Sequence, residues 1–380
     1  MSDWLQHLIR ITGSTGAYFL LAGGVALLFV VSAALHLAWW RRQLTLALGY
    51  EAVESIDTAD GSRIELRRIA PAEPSALPPV LLVHGVASNH RNQDGDPDHS
   101  LARYLKARGR DVWLVTLRSG LRLRPTLRRK TCFANMAHYD LPLAIGTVLD
   151  RTGAPQLDYV GFSMGGILLY ATLGREVPER LIRRAAFVGA PGRIDSPVRV
   201  PRFIGSIPRS LMPTLPLRTL AIAYAFQSEW FATPLHHAIL NPKNMERGMT
   251  RRGLVNCIED VASALHADFL RWASRDGTIE IDGKPILRGL EDANVPALFI
   301  AGSADRIAPP ATVRHAFEAW GAANPRVFKR FVLLGEDGSK GGYGHGDLAL
   351  GAGVSRDVYP PIEEFLASDD PRATPPAQQQ

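Results

Sequence analysis

The chain has 380 residues, 46% of them apolar and 21% charged, and 43 Lys and Arg against 37 Asp and Glu leave a net charge of +6. This is ordinary globular usage, which excludes a disordered chain and a polytopic transporter, and the charge surplus is too mild to call for a nucleic-acid partner. Two cysteines, Cys132 and Cys257, exclude a disulfide scaffold and a four-cysteine zinc site.

Taken in chain order, the first feature is a stretch without charge. No Asp, Glu, Lys or Arg lies between Arg10 and Arg41, and the 25 residues from Gly16 to Trp40 are almost wholly apolar. About 20 such residues span a bilayer as a helix, and Tyr18, Trp39 and Trp40 sit where aromatic side chains favour the interface. Ser32-Ala33-Ala34 offers a small-residue cleavage site, but the apolar run continues past it, so residues 1–42 read as an uncleaved single-pass membrane anchor. The pair Arg41-Arg42, set against Arg10 and the amino group, favours the cytoplasmic face for the rest of the chain.

Beyond the anchor, strands alternate with helices. Glu51–Thr58 and Ser62–Ile69 flank Asp60-Gly61 as a hairpin. PVLLVH (79–84), DVWLVTL (111–117), LDYVGF (157–162), RAAFVG (184–189), ALFIA (297–301) and 327–334 read as further strands. His99–Arg108, Leu141–Thr152 with Asp140 as N-cap, a run from Gly165, Ala311–Trp320 and Pro361–Ala367 read as helices. Alternation of this kind implies an α/β fold with a mostly parallel sheet covered on both faces. Residues 191–290 hold no clear strand. They read as a helical cap between the two parts of the core, 43–190 and 291–368, with helices over Leu217–Phe231 and Arg252–Ala273. The polar, Pro-rich residues 369–380 read as a disordered tail.

The chemistry centres on Gly161-Phe162-Ser163-Met164-Gly165, which lies between a strand and a helix. A G-x-S-x-G turn in that context exposes its serine at a helix N-terminus, and the small residues Gly161 and Gly165 let strand and helix pass closely. A serine needs a base, and the base a carboxylate, in the order Ser, acid, His. His236, His237 and His266 fall in the cap and His315 in a helix, whereas His345 lies in the glycine-rich loop 341–346 after the last strand and is the expected base. Asp305, in the turn after ALFIA, is the expected acid, with Asp337 and Asp347 as competitors; Asp347 is the better candidate for fixing the loop. The oxyanion donors are the N–H of Met164 and of Val86, after the strand ending in His84-Gly85; His84 is expected to organise its loop.

These residues resemble the α/β-hydrolase superfamily over about residues 50–368. Asp111-Val112-Trp113-Leu114 with Arg118, Tyr139-Asp140-Leu141-Pro142, and His345-Gly346-Asp347 are most similar to the acid-lipase branch. Polyhydroxyalkanoate synthases form a neighbouring branch, but their nucleophile is cysteine, where this chain has Ser163. The resemblance implies an esterase or lipase; an acyltransferase or thioesterase with the same triad is the alternative, and a non-catalytic binding protein on this fold a more distant one.

Three weaker signals complete the sequence. Arg118, Arg122, Arg124, Arg128, Arg129 and Lys130 form a basic 118–130 loop suited to anionic lipid. Asp94, Asp96 and Asp98 alternate like the start of a calcium loop, but His99 stands where glycine is needed and Leu105 where glutamate is, so no metal is expected. No dinucleotide fingerprint or phosphate-binding glycine loop is present, so no cofactor is expected. In the cap, the apolar side chains of Phe226 and Trp230 are expected to line a pocket for the acyl chain of a lipophilic ester.

Overall fold

A computed structural model describes residues 2–195, 200–335 and 342–368. The described residues form ten strands: β1 (Ala52–Asp57), β2 (Arg63–Ile69), β3 (Val80–Val83), β4 (Val112–Thr116), β5 (Leu157–Phe162), β6 (Ile182–Val188), β7 (Glu280–Ile281), β8 (Lys284–Pro285), β9 (Ala297–Gly302) and β10 (Lys329–Leu334). Eight of them make one sheet in the order β1-β2-β4-β3-β5-β6-β9-β10, and β7 and β8 make a separate two-residue hairpin in the cap. In the large sheet the β1–β2 and β2–β4 pairs are antiparallel and the β3–β4, β3–β5, β5–β6, β6–β9 and β9–β10 pairs are parallel; the small β7–β8 pair is antiparallel.

Strand side chains alternate between faces, so a continuous apolar strand feeds two cores at once. Leu81, Val83, Trp113, Val115 and Tyr159 enter one core. Their chain neighbours Val80, Leu82, Val112, Leu114 and Val160 enter the other. By contrast, β1 is buried on one face at most, as its alternating half-buried and exposed pattern records. The helices Leu141–Thr152 and Met164–Thr172 cover the first face; Leu101–Lys106 and Tyr359–Ala367 cover the second.

Several expected boundaries move. Asp140 makes no cap: a π-helical turn, Met136–Asp140, already leads into the Leu141 helix, and its carboxylate is taken by Arg118. The run 252–273 is two helices, Met249–Asn256 and Ser263–Ser274. Between them, Ile258 bridges Ser88 and Val261 bridges Leu215, so the backbone there is committed to strand-like partners. The helix expected to reach Phe231 ends at Ala225. The tail from residue 369 lies outside the described residues.

The N-terminal helix runs from Ser2 to Leu44, and its segment Tyr18–Leu44 is long and apolar enough to cross a membrane. The expected boundary at residue 42 therefore falls inside its last turn. Leu37, Trp40 and Leu44, at positions that share a helix face, pack against Ile222, Ala225 and Val255 of the Leu217–Ala225 and Met249–Asn256 helices. Leu46 N–H donates to Asn256 Oδ1, and Asn256 Nδ2 donates back to Leu44 O. The helix is thus docked on the cap.

Candidate active site

The parallel strands β3, β5, β9 and β10 all end at one edge of the sheet, and each hands its chain to a loop bearing one expected site residue. This is the edge at which open α/β sheets place ligands.

At the end of β5, Ser163 has φ 51° and ψ −118°, a left-handed conformation for a residue with a Cβ. Ser163 N–H donates to Val188 O at 2.9 Å and its carbonyl accepts from Gly166 and Ile167, so neighbouring structure holds the turn. The flanking glycines are required by contact. A Cβ on Gly161 would lie 2.6 Å from Gly166 N, and one on Gly165 would strike the Val83 carbonyl. The Ser163 side of the turn faces the end of β3: a Cβ added to Gly85 would stand 3.1 Å from the Ser163 Cβ. Among the described residues, neither Val86 N–H nor Met164 N–H donates to a protein acceptor. Met164 follows Ser163 in the chain, and Val86 follows Gly85, whose backbone abuts Ser163.

His84 braces this loop from behind. It is fully buried, its Nδ1 is 2.7 Å from Gly85 O, and its Nε2 accepts from Leu117 N–H at 3.1 Å. Burial pushes its pKa down to about 4, so the ring is neutral with the proton on Nδ1. This organising position agrees with the expectation for His84.

His345 and Asp305 meet, with Nδ1 and Oδ2 2.7 Å apart. Asp305 Oδ1 accepts from the N–H groups of Ile307 and Ala308, both at 2.8 Å, which aims the second oxygen at the imidazole. The ring lies against Phe162, the residue before Ser163, with centroids 5.0 Å apart. Gly189 makes room for it: its φ is +56°, and a Cβ there would sit 3.2 Å from His345 Cε1. Asp347 does not compete for the imidazole. It accepts from Gly344 N–H, Asn241 N–H and Asn244 Nδ2 at 2.8–2.9 Å, which fixes the loop that carries His345, although burial raises its carboxyl above the ordinary value. Asp337 lies outside the described residues. The supports from Asn241 and Asn244 come from the cap, and sequence spacing offers no signal for them.

Phe226 and Trp230, expected to line an acyl pocket, have other surroundings in the structure. Phe226 packs on the N-terminal helix, its ring 5.0 Å from His36 and 6.3 Å from Trp40, and Trp230 is 69% exposed. The cause is the early end of the Leu217–Ala225 helix and the docking of its apolar face on Leu37, Trp40 and Leu44.

Arg118 also leaves the role expected of the basic loop. It is 1% exposed and makes hydrogen bonds to Asp140 at 2.6 and 2.9 Å and to Asp60 at 2.7 and 2.9 Å. Burial works against its charge, but the two carboxylates hold it protonated above the ordinary range. The arginine is the buried clamp that fastens the β1–β2 hairpin tip to the helix layer. Arg122, Arg124, Arg129 and Lys130 remain exposed. Two carboxylates of the 94–98 run are engaged: Asp94 with Arg103 and Ser100, and Asp96 with His99.

A strained serine at a strand-to-helix turn, on a parallel sheet of this order, defines an α/β-hydrolase architecture. The family described as alpha/beta hydrolase fold matches residues 78–336, more than half of the chain, and the protein belongs to that family. Human gastric triacylglycerol lipase is 32% identical over 148 residues, which are 34% of this chain and 37% of that relative. Human lipase member K is 33% identical over 137 residues, 32% of this chain and 34% of the relative. The chain thus spans little more than a third of the length of these curated relatives. Among solved structures, a thermophilic esterase from Thermogutta terrifontis superposes with a TM-score of 0.52 at 17% identity, covering 83% of this chain and 98% of the esterase. That likeness concerns the fold.

Proposed function

We propose that the protein is a membrane-anchored serine hydrolase that cleaves carboxylic esters with apolar acyl chains. The observation that carries this reading is the 2.7 Å contact between His345 and Asp305, held by the two N–H groups on the far carboxylate oxygen, at the sheet edge where Ser163 occupies its strained turn. With the Nδ1 proton directed at Asp305, the imidazole presents an Nε2 lone pair that takes the Ser163 proton. Ser163 Oγ then attacks the ester carbonyl, and the free N–H groups of Val86 and Met164 receive the oxyanion. His345 returns the proton to the leaving alcohol, and water repeats the sequence on the acyl-enzyme. Local similarity to lipases supports an ester substrate. The anchor reading is supported by the stretch 11–40, which carries no charged side chain, and by the unburied apolar window within it; the Arg41-Arg42 pair favours the cytoplasmic face for the catalytic domain.

Labelling of the full chain in detergent with a fluorophosphonate probe tests the nucleophile. Labelling of the wild type and none of Ser163→Ala is expected; equal labelling of a folded Ser163→Ala refutes the proposal. A series of p-nitrophenyl esters tests the acyl chain. Each buried methylene is worth about 0.8 kcal/mol, or about fourfold, so kcat/KM is expected to rise from acetyl toward medium chains. A flat profile removes the lipophilic preference.

A further inference from the structure

Where the N-terminal helix meets the cap, a cavity of about 480 Å³ opens between that helix, the 118–131 loop and the Leu217–Ala225 helix. Its volume is in the range of small-molecule sites. The wall contributed by the N-terminal helix is Ala34, Leu37, Ala38 and Arg41, a single i, i+3, i+4, i+7 stripe. From Tyr18, about 20 residues are needed to cross the hydrocarbon core, which brings the chain to Leu37 and sets Arg41 one helical turn beyond, at headgroup depth. The cavity is therefore apolar at its acyl-side end and cationic at the other.

The charges at the cationic end do not balance. Arg218 pairs with Glu259 at 3.1 Å, Arg128 approaches Asp260 at 3.9 Å, and Arg118 is committed to Asp60 and Asp140. Among the described residues, Arg41 and Arg122 have no carboxylate within ion-pair distance, although both line the cavity. Burial, then the charge of Arg218, lowers the Arg122 pKa; Glu259 opposes this, Arg41 adds to it and Asp260 opposes it, and the net shift stays downward, a tension that an anion relieves. Two hydroxyls point to the same ligand. Ser119 and Thr131 line the cavity at 7% and 2% exposure, and among the described residues neither Ser119 Oγ nor Thr131 Oγ1 has a hydrogen-bond partner. Buried hydroxyls without partners are uncommon, and paired arginines with adjacent hydroxyl donors suit a phosphate oxygen cluster.

We propose that this cavity binds the phosphate headgroup of an anionic membrane lipid, with Arg41 and Arg122 as the charge partners, Ser119 and Thr131 as donors, and Leu37 beside the first acyl carbons. The site is separate from Ser163 and does not depend on the identity of the hydrolysed ester.

Full-length protein in a non-ionic detergent is titrated by calorimetry with dihexanoyl phosphatidate, dihexanoyl phosphatidylcholine and inorganic phosphate, each alone. Saturable binding of the phosphatidate is expected, at least tenfold tighter than either of the others. Arg122→Gln and Thr131→Val are each expected to weaken it by tenfold or more, with Tm reported as a check on folding. If Thr131→Val fails to fold, Arg41→Gln, whose side chain is exposed, replaces it. Phosphatidate binding that is absent, or unchanged in folded Arg122→Gln, overturns the proposal. Inorganic phosphate binding as tightly as phosphatidate overturns the lipid assignment, and equal binding of phosphatidylcholine overturns the charge argument.

Discussion

The replacement Asp305→Asn separates geometry from chemistry, because the two carboxylate oxygens have different tasks. Oδ1 accepts two backbone N–H bonds, from Ile307 and Ala308, and Oδ2 accepts from His345 Nδ1. An asparagine keeps one acceptor. If its oxygen stays with the backbone donors, its NH2 faces Nδ1, and the imidazole must carry its proton on Nε2, where it cannot accept from Ser163. Turning the amide restores the productive tautomer but sets an NH2 against two buried N–H groups, at roughly 1–3 kcal/mol each. The active form is then uphill by about 2–6 kcal/mol, or roughly 30-fold to a few times 10⁴-fold in rate; the same exchange in a serine-protease triad costs about 10⁴. The assay is kcat/KM for p-nitrophenyl acetate, with Tm as a folding control. A folded Asp305→Asn within tenfold of wild type refutes the assignment of the acid, and a larger loss in Asp337→Asn moves it there.

Removing His345 is expected to cost nearly as much turnover as removing Ser163, since the two act as one unit, and the doubly substituted protein is expected to be scarcely worse than either alone. His84 predicts an acid limb in stability. Its pKa is depressed from 6.5 to about 4, so the unfolded ring takes a proton that the folded ring refuses; the stabilisation, about 3 kcal/mol, is present above pH 6.5 and lost as pH falls to about 4. In His84→Gln, Tm is expected to fall less steeply across that window, and an unchanged slope refutes the account. Arg118→Ala is expected to destabilise by about 3–5 kcal/mol, because it leaves the Asp140 carboxylate buried without its partner; a Tm within a degree of wild type argues against a clamp. Deletion of residues 1–30 is expected to leave a folded domain, whereas deletion of 1–44 uncovers Ile222, Ala225 and Val255 and is expected to aggregate; a monodisperse 45–380 fragment refutes the docking of the helix on the cap.

The strands were legible because burial on both faces writes continuous apolar runs: LDYVGF is β5 residue for residue. The turn that carries Ser163 was legible because glycines mark the places where backbone approaches too closely for a Cβ, as at Gly161 and Gly165. The cap was not. Its helix limits depend on Ile258 and Val261 pairing with Ser88 and Leu215, contacts of 170 and 46 residues' separation that no local period encodes. Phe226 illustrates the same limit: an apolar face announces that it will be covered, and the sequence pattern cannot distinguish an acyl chain from the Trp40 indole. Arg118 was misread because a basic run looks solvated unless the distant Asp60 and Asp140 are brought to it.

The strand-like segment between the two cap helices has a consequence for engineering. Glu259 N–H donates to Ala87 O at 2.8 Å, and Asn89 Nδ2 donates to Asn256 O and to Glu259. Ala87 holds φ 56° immediately after Val86, and this segment helps fasten that strained turn together with the Ser88 hydroxyl, which donates to Gly85 O. Chimeras that exchange residues 191–290 wholesale discard this fastening. Grafts that retain residues 256–261 and exchange the helices on either side keep the loop beneath them in register, and those six residues form the natural splice junction for altering substrate range.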